Sequence, residues 1–354
     1  MSNFPLAYRL SWLPRFLSPS ARMPESFERQ PLQGLAAGED GRSKTVDLLF
    51  FGDISNVANP TISAAPKEMR ELFRRADIVV GNCETPVTKN VAPGARQRLG
   101  LGHYADASFI DGFLDAFRVS AGKLCLSLAN NHALDCGVEG LLETVSVLEE
   151  RGIAVIGCRD AGRPPLTTVE HRGLRLGFTA STEWINRHPE TARKHVWFGR
   201  DADGLDWPGL KKQHRLDTLI ALPHWDFEFR HFPQPETRAR AARLARGGVD
   251  LIVGQHPHVL QPMERFDRGL CAYSLGDVLG TAFPRATWPT RLFGLLEIGI
   301  RAGGPRRGEI RRYRLHPWVR SHRAGREEVW AVSDLRDGLR DKIERRLRLI
   351  FPEP

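Results

Sequence analysis

From residue 45 onward the apolar positions follow two alternating rhythms. TVDLLFFGD (45–53) is a buried-strand run ending in Gly-Asp, PKEMRELFRRAD (66–77) has helical spacing, and IVVGNCE (78–84) is a second strand closing on polar residues. FIDGFLDAF (109–117) reads as a helix and KLCLSLANNH (123–132) as a strand. GVEGLLETVSVLEERG (137–152) puts Leu141, Leu142, Val145 and Leu148 on one helical face, stopped by Gly152. IAVIGC (153–158) is a further strand. LTTVEHRGLRLGFTA (166–180) then reads as a hairpin turning at Arg172 and Gly173. DTLIALPHW (217–225) and DLIVGQHPH (250–258) are buried strands around a helix at 237–248. Hairpins follow at 263–277, turning near Asp267 to Gly269, and at 292–315. Residues 1–44 show little periodicity and read as an N-terminal extension, disordered or packed on the surface. The domain is expected over 45–325, and 326–354 as a basic amphipathic C-terminal helix packed on it. Repeated βα units followed by hairpins predict an α/β fold with mixed sheets.

The apolar share, 41% of 354 residues, suffices for a buried core, and no run is long enough for a membrane-spanning helix. The net charge of +9 suits an anionic partner, or reflects nothing more than solvated arginines. Cys83, Cys125, Cys158 and Cys271 sit in or beside apolar runs and none of the five cysteines forms a CxxC pair. They read as buried thiols of a reducing compartment. The N-terminus has aromatics and arginines without a continuous apolar stretch, so a secretory signal is not expected; a weak interfacial segment is the alternative.

Five strand ends carry unusual polar groups: Asp53; Glu84; Asn130, Asn131 and His132 with Asp135; His224; and His256 with His258. Singly, each is a turn former, a helix cap or an ordinary histidine. Ligands of open α/β sheets bind at the carboxyl ends of strands, so five such ends on one edge would gather these groups. Carboxylates, an amide oxygen and imidazoles suit divalent Mn, Fe or Zn, and the absence of thiolates disfavours a structural zinc site. A bridged ion pair can clamp an attacking hydroxide and the oxygens of the transition state. His132 offers a proton for a leaving group and Asp135 a means of orienting it.

The ordered set GD (52–53), GNCE (81–84), SLANNHALDCGVEGLLET (127–144), PHWDFEF (223–229), GQHPHVLQ (254–261) and YSLGD (273–277) resembles the motifs of the CapA family. These are capsule and poly-γ-glutamate synthesis proteins of the calcineurin-like metallophosphoesterase superfamily, and the match runs over roughly 45–300. The resemblance implies a four-layer α/β/β/α sandwich of two mixed sheets with a site for two divalent ions. It implies Asp53 and His258 at the first ion, Glu84 as the bridge, and Asn131, His224 and His256 at the second. His132 matches the catalytic acid and Asp135 its partner, while Asn130 is left to bond the loop backbone.

Several positions depart from the pattern. Ser55 stands where many phosphoesterases have a histidine, and Glu84 where the bridge is usually Asp. HWD and YSLGD replace HWG and YSLGN, so Asp226 and Asp277 are either extra carboxylates near the site or a surface residue and a turn residue. Glu228 and Arg230 read as a solvated loop or as substrate-facing groups. Gly52 and Gly81 read as backbone accommodation, not phosphate cradles.

The resemblance implies a metal-dependent hydrolase or transferase in capsule or poly-γ-glutamate-type polymer biosynthesis. Its substrate would be an anionic polymer or a phosphorylated or acyl compound, and its partner a membrane-bound synthase. The alternatives are a non-catalytic accessory subunit of that synthase and, last, a metal-dependent nuclease; no nucleic-acid partner is expected. The expected location is cytoplasmic, with a peripheral place at the membrane as the alternative.

Overall fold

The computed structural model describes residues 2–35, 44–56, 61–99, 102–159, 163–267, 269–280, 288–323 and 325–353. Part of the N-terminal extension (36–43) and position 268 in the turn expected near Asp267 lie outside the described residues.

The chain runs through helix α1 (Leu6–Leu17), strand β1 (Thr45–Ser55), α2 (Lys67–Arg75), β2 (Ile78–Cys83), α3 (Ser108–Phe117), β3 (Leu124–Ser127), α4 (Gly137–Glu149) and β4 (Ala154–Ile156). It continues through β5 (Thr167–His171), β6 (Leu174–Thr182), α5 (Trp207–Gln213), β7 (Thr218–His224), α6 (Pro235–Arg246), β8 (Leu251–Val253), β9 (Met263–Arg265) and β10 (Leu270–Ala272). The last elements are β11 (Asp277–Gly280), β12 (Leu292–Arg301), β13 (Ile310–Arg323), β14 (Arg326–Ala331) and α7 (Asp337–Ile350). One sheet has the order β14-β13-β12-β1-β2-β3-β4, parallel from β1 to β4 and antiparallel from β1 to β14. The other runs β9-β10-β8-β7-β6-β5, with parallel strands at its centre and an antiparallel strand at each edge.

The period of two explains why two sheets stack. On β1, Leu48 and Phe50 point into a core shared with Phe178, Ile220 and Leu222 of the second sheet. Leu49 and Phe51 point the other way, onto Met69, Phe113 and Leu141 of α2, α3 and α4. On β7, Leu219 and Ala221 meet Trp207 and Leu244 of α5 and α6. Three apolar layers between four layers of secondary structure make the expected α/β/β/α sandwich of two mixed sheets.

The structure differs from the sequence expectation at both ends. Residues 326–331, placed with the C-terminal helix, form β14 and pair with β13 from Trp318↔Ala331 to Arg323↔Arg326. The charged segment REEVWA lacks a strand's apolar alternation, and the ladder supplied by β13 decides its conformation. Helix α7 then seals the core between the sheets with Ile343 and Ile350. Within the extension, Leu6–Leu17 is a helix despite Pro14. Among the described residues, no helix is long and apolar enough to cross a membrane.

The sheet junction has its own acid lability. Glu297 on β12 accepts from Arg75 at 2.6 Å and Arg312 at 2.7 Å, and lies 3.1 Å from His316 Nε2. The His316 bond, together with the two guanidinium groups and against burial, holds its carboxyl at about 2. This lies below the ordinary 4.5, so its stabilising contribution is complete above that pH and is lost as pH falls toward 2. In urea unfolding measured across that window, Glu297→Gln is expected to be less stable at pH 7 and to lose stability less steeply on acidification. An unchanged slope would contradict the assignment.

Candidate metal centre

The polar strand ends converge on one edge. β1 outruns its antiparallel partner β12, and its last residues pair instead with the parallel β11, setting Asp277 beside Asp53. The approach needs glycine. A Cβ on Gly52 would lie 1.8 Å from the Gly276 carbonyl oxygen, and one on Gly81 would lie 2.1 Å from the Phe51 ring. Both glycines serve backbone and ring packing, in line with the accommodation reading.

Asp53 is buried and held twice. Asn82 Nδ2 donates to its Oδ1 at 2.7 Å, and the His256 backbone N–H donates to its Oδ2 at 3.1 Å. Burial raises its carboxyl to about 6, with Asp277 adding to the effect and His258 opposing it. Glu84 is fully buried, and neither of its carboxylate oxygens accepts a hydrogen bond. His224 Nε2 is 3.2 Å from Glu84 Oε1 and His258 Nε2 is 3.8 Å from it. The 3.2 Å approach lacks hydrogen-bond geometry; that nitrogen has Asn131 Oδ1 at 2.8 Å and His256 Nδ1 at 3.1 Å. Burial pushes the Glu84 carboxyl well above its usual range.

The three imidazoles differ. Burial holds His224 and His256 well below the usual histidine value, hence neutral. His258 is partly buried, and Asp277 at 2.8 Å and Glu84 outweigh desolvation and raise it. Asp277, in turn, accepts from the buried Arg320 at 3.1 Å. His256 and His258 have φ of 97° and 52°, in the left-handed region, where a non-glycine residue costs roughly 1–3 kcal/mol. The backbone bonds Gln255 N–H to Pro223 O, Trp225 N–H to Gln255 O and Phe229 N–H to Pro257 O hold that strained loop.

His132 stands at the rim, with Nδ1 2.7 Å from Asp135 Oδ2. Its ring stacks on His103, 3.4 Å between centroids with the two planes nearly parallel. Burial, then His132, depresses His103 to about 3, while its Nδ1 lies 2.6 Å from the Glu84 carbonyl oxygen. Burial alone would raise Asp135, but His132 holds it below the usual range. Asn130 donates to the Cys83 carbonyl oxygen at 2.8 Å and accepts from the His132 N–H, so it does bond the loop backbone.

The structure therefore brings Asp53, Glu84, Asn131, His224, His256 and His258 together, with His132 and Asp135 beside them. Among the described residues, three overlapping sets of donor atoms lie within 4.8 Å of one another: Glu84, His256 and His258; Asp53, Glu84 and His224; Asp53, His258 and Asp277. Of the two open carboxylates, Asp277 belongs to the cluster. Asp226 instead accepts from the backbone of Phe227 and Gln234 and from the Gln261 side chain, which organises its loop. Glu228 is also turned inward, 4.0 Å from His256 Nε2. Asn82, His103 and Asn186 (3.3 Å from His132 Nε2) were not singled out by the sequence. Asn82 stands inside GNCE (81–84), while His103 and Asn186 lie outside every motif, and only side-chain direction reveals their part.

The family description that matches this chain, over residues 47–282, is the bacterial capsule synthesis protein PGA_cap. The PGA biosynthesis protein CapA of Bacillus subtilis (strain 168) is 27% identical over 255 residues, 69% of this chain and 63% of its own length. A "Probable polyglutamine synthesis accessory protein" of Mycobacterium tuberculosis is 32% identical over 170 residues, 43% of this chain and 44% of its own. The chain thus spans less than two thirds of either relative. The NAD nucleotidase of Haemophilus influenzae aligns over 87% of this chain and 63% of its own, at 13% identity and a TM-score of 0.48. The matched segment covers more than half of the sequence, from the strand that carries Asp53 to the one that begins at Asp277: this chain belongs to the bacterial capsule synthesis protein family.

Proposed function

We propose that this protein is a metal-dependent hydrolase or transferase in the synthesis of a capsule or poly-γ-glutamate-type polymer. The observation that carries the reading is Glu84, a fully buried carboxylate with no hydrogen bond to either oxygen. Leaving such a group unpaired is costly, and a cation would compensate it. Neutral imidazoles, an amide oxygen and carboxylates form a donor set that fits divalent Mn, Fe or Zn. Asp53, Glu84, Asn131, His224, His256 and His258 would hold two such ions, with Asp277 fixing His258. When bound, the ions supply Lewis-acid activation of water and of a phosphoryl or acyl oxygen.

The chain's own residues supply the proton. Asp135 orients His132 through Nδ1, which leaves Nε2 to protonate a leaving group. His103 supports the ring from below and, being neutral, adds no competing charge. The substrate would be an anionic polymer or a phosphorylated or acyl compound, and the partner a polymer synthase.

The test is elemental analysis of the purified protein beside His256→Ala, with manganese-stimulated hydrolysis of bis(p-nitrophenyl) phosphate measured on both. Close to two equivalents of metal, lost together with activity in the variant, is the expected result. Metal without this activity would redirect the search to amide substrates; no metal after reconstitution would overturn the proposal.

A second reading, a non-catalytic accessory subunit, is favoured by Ser55 in place of the expected histidine and by the printed name of the mycobacterial relative. It requires that His132→Ala leave polymer synthesis in cells unchanged.

A further inference from the structure

Helix α1 lies across the metal centre. Its Tyr8 is buried, with the hydroxyl 3.2 Å from His256 Nε2, although the two residues are 248 positions apart. Phe4, Trp184 and Phe227 enclose the Tyr8 ring at centroid distances of 4.6, 5.3 and 4.9 Å. The segment is pinned at both ends. Asn3 Oδ1 accepts the Ile185 N–H at 2.8 Å, and Ser20 exchanges backbone bonds with Phe229 and His231. Between them, Arg15 Nε donates to the Glu228 carbonyl oxygen at 2.8 Å, and Trp12 Nε1 donates to the Glu228 carboxylate.

The two nitrogens of His256 face different neighbours. Nδ1 lies 3.1 Å from His224 Nε2, on the side of Glu84, whereas Nε2 faces Tyr8. A neutral imidazole that offers Nδ1 as a ligand carries its proton on Nε2, and the Tyr8 hydroxyl, 3.2 Å from that nitrogen, can accept the hydrogen bond. Toward His256 it then presents a lone pair.

We infer that Tyr8 is a positioning residue of the centre: its hydroxyl accepts the Nε2 proton of His256 and so fixes the tautomer that turns the Nδ1 lone pair toward Glu84 and His224. Asp277 does the same for His258, where Nδ1 lies 2.8 Å from the carboxylate and Nε2 faces Glu84. Outer partners of this kind set ligand orientation and basicity. The inference rests on the metal-centre reading, and extends the site to a helix outside the family-matched segment.

The experiment uses the full chain with Tyr8→Phe, which keeps the ring and removes only the hydroxyl. Two quantities are read: Zn²⁺ affinity by competition with a chelator, and the His256 tautomer in metal-free protein by long-range ¹⁵N–¹H correlation. The expected result is roughly 10- to 100-fold weaker Zn²⁺ binding. A single Nε2–H tautomer in the unsubstituted chain should become a mixture in the variant. Phe4→Leu loosens the same aromatic packing without touching the hydroxyl. If it weakens Zn²⁺ as much as Tyr8→Phe, packing alone is at work and the inference falls. Equal affinity in Tyr8→Phe and the unsubstituted chain also overturns it, but leaves the metal centre standing. No Zn²⁺ binding by the unsubstituted chain overturns both.

Discussion

Chelator-treated protein is expected to gain roughly 5 °C in unfolding midpoint on addition of Mn²⁺ or Zn²⁺ at about a thousand times the dissociation constant. The Glu84→Gln chain is expected to gain almost nothing. A ligand at that excess stabilises the native state by about 4 kcal/mol. With about 2.1 cal/mol/K of unfolding entropy per residue, a chain of 354 residues moves by about 1.3 °C for each kcal/mol. Among the described residues Asp53, Glu84 and His258 each belong to two donor sets, and Glu84 is the decisive one because neither of its oxygens accepts a hydrogen bond. Gln keeps the size and removes the charge. The same substitution has the opposite sign without metal. Burial raises the carboxyl well above its ordinary value, so at neutral pH it costs the folded state stability that Gln does not cost. Metal-free Glu84→Gln should therefore unfold above the metal-free unsubstituted chain. Differential scanning calorimetry with and without metal reads both signs, and an equal metal response in the two chains would remove Glu84 from the ligand set.

His132→Ala is expected to retain its metal and to lose turnover in a leaving-group-dependent way. General-acid catalysis contributes roughly 10²- to 10⁴-fold, and only where the departing oxygen needs a proton. A phenyl or alkyl phosphodiester should suffer that loss, whereas a p-nitrophenyl ester, whose leaving group departs as the anion, should suffer little. Asp135→Asn should show the same dependence with a smaller loss, since it removes the orientation of His132 and keeps the imidazole. A uniform loss over all leaving groups would assign His132 to binding instead of proton transfer.

The layered core and the polar strand ends were legible because both follow from short-range pattern. Apolar runs that stop on Asp53, Glu84, Asn131, His224 and His256 mark the carboxyl ends of strands, and parallel pairing then puts them on one edge. What was not legible depends on which way a side chain points. In α1 the leucines at 6, 10, 13 and 17 have helical spacing, but they form the exposed face. The buried face is Tyr8 and Arg15, a phenol and a cation that periodicity does not count as core. Asp277 and Asp226 could not be told apart from their sequences. Only the pairing of β11 with β1 sets one among the imidazoles, and the other is consumed in loop hydrogen bonds. β14 was hidden by charge, since its ladder comes from a neighbour instead of its own composition.

The sheet order also sets when the centre can exist during the chain's life. Asp53 is synthesised early, but the backbone N–H that holds it belongs to His256, 203 positions later. Strand β12, which forms the antiparallel flank of β1, comes later still. Contacts of such separation close slowly because loop entropy must be overcome before they reward the chain. The nascent polypeptide therefore carries its ligands for most of its synthesis without a site to put them in. On the proposed metal-centre reading, loading follows folding, so the rate of refolding from denaturant should be the same with and without divalent ions, which would act only by slowing unfolding.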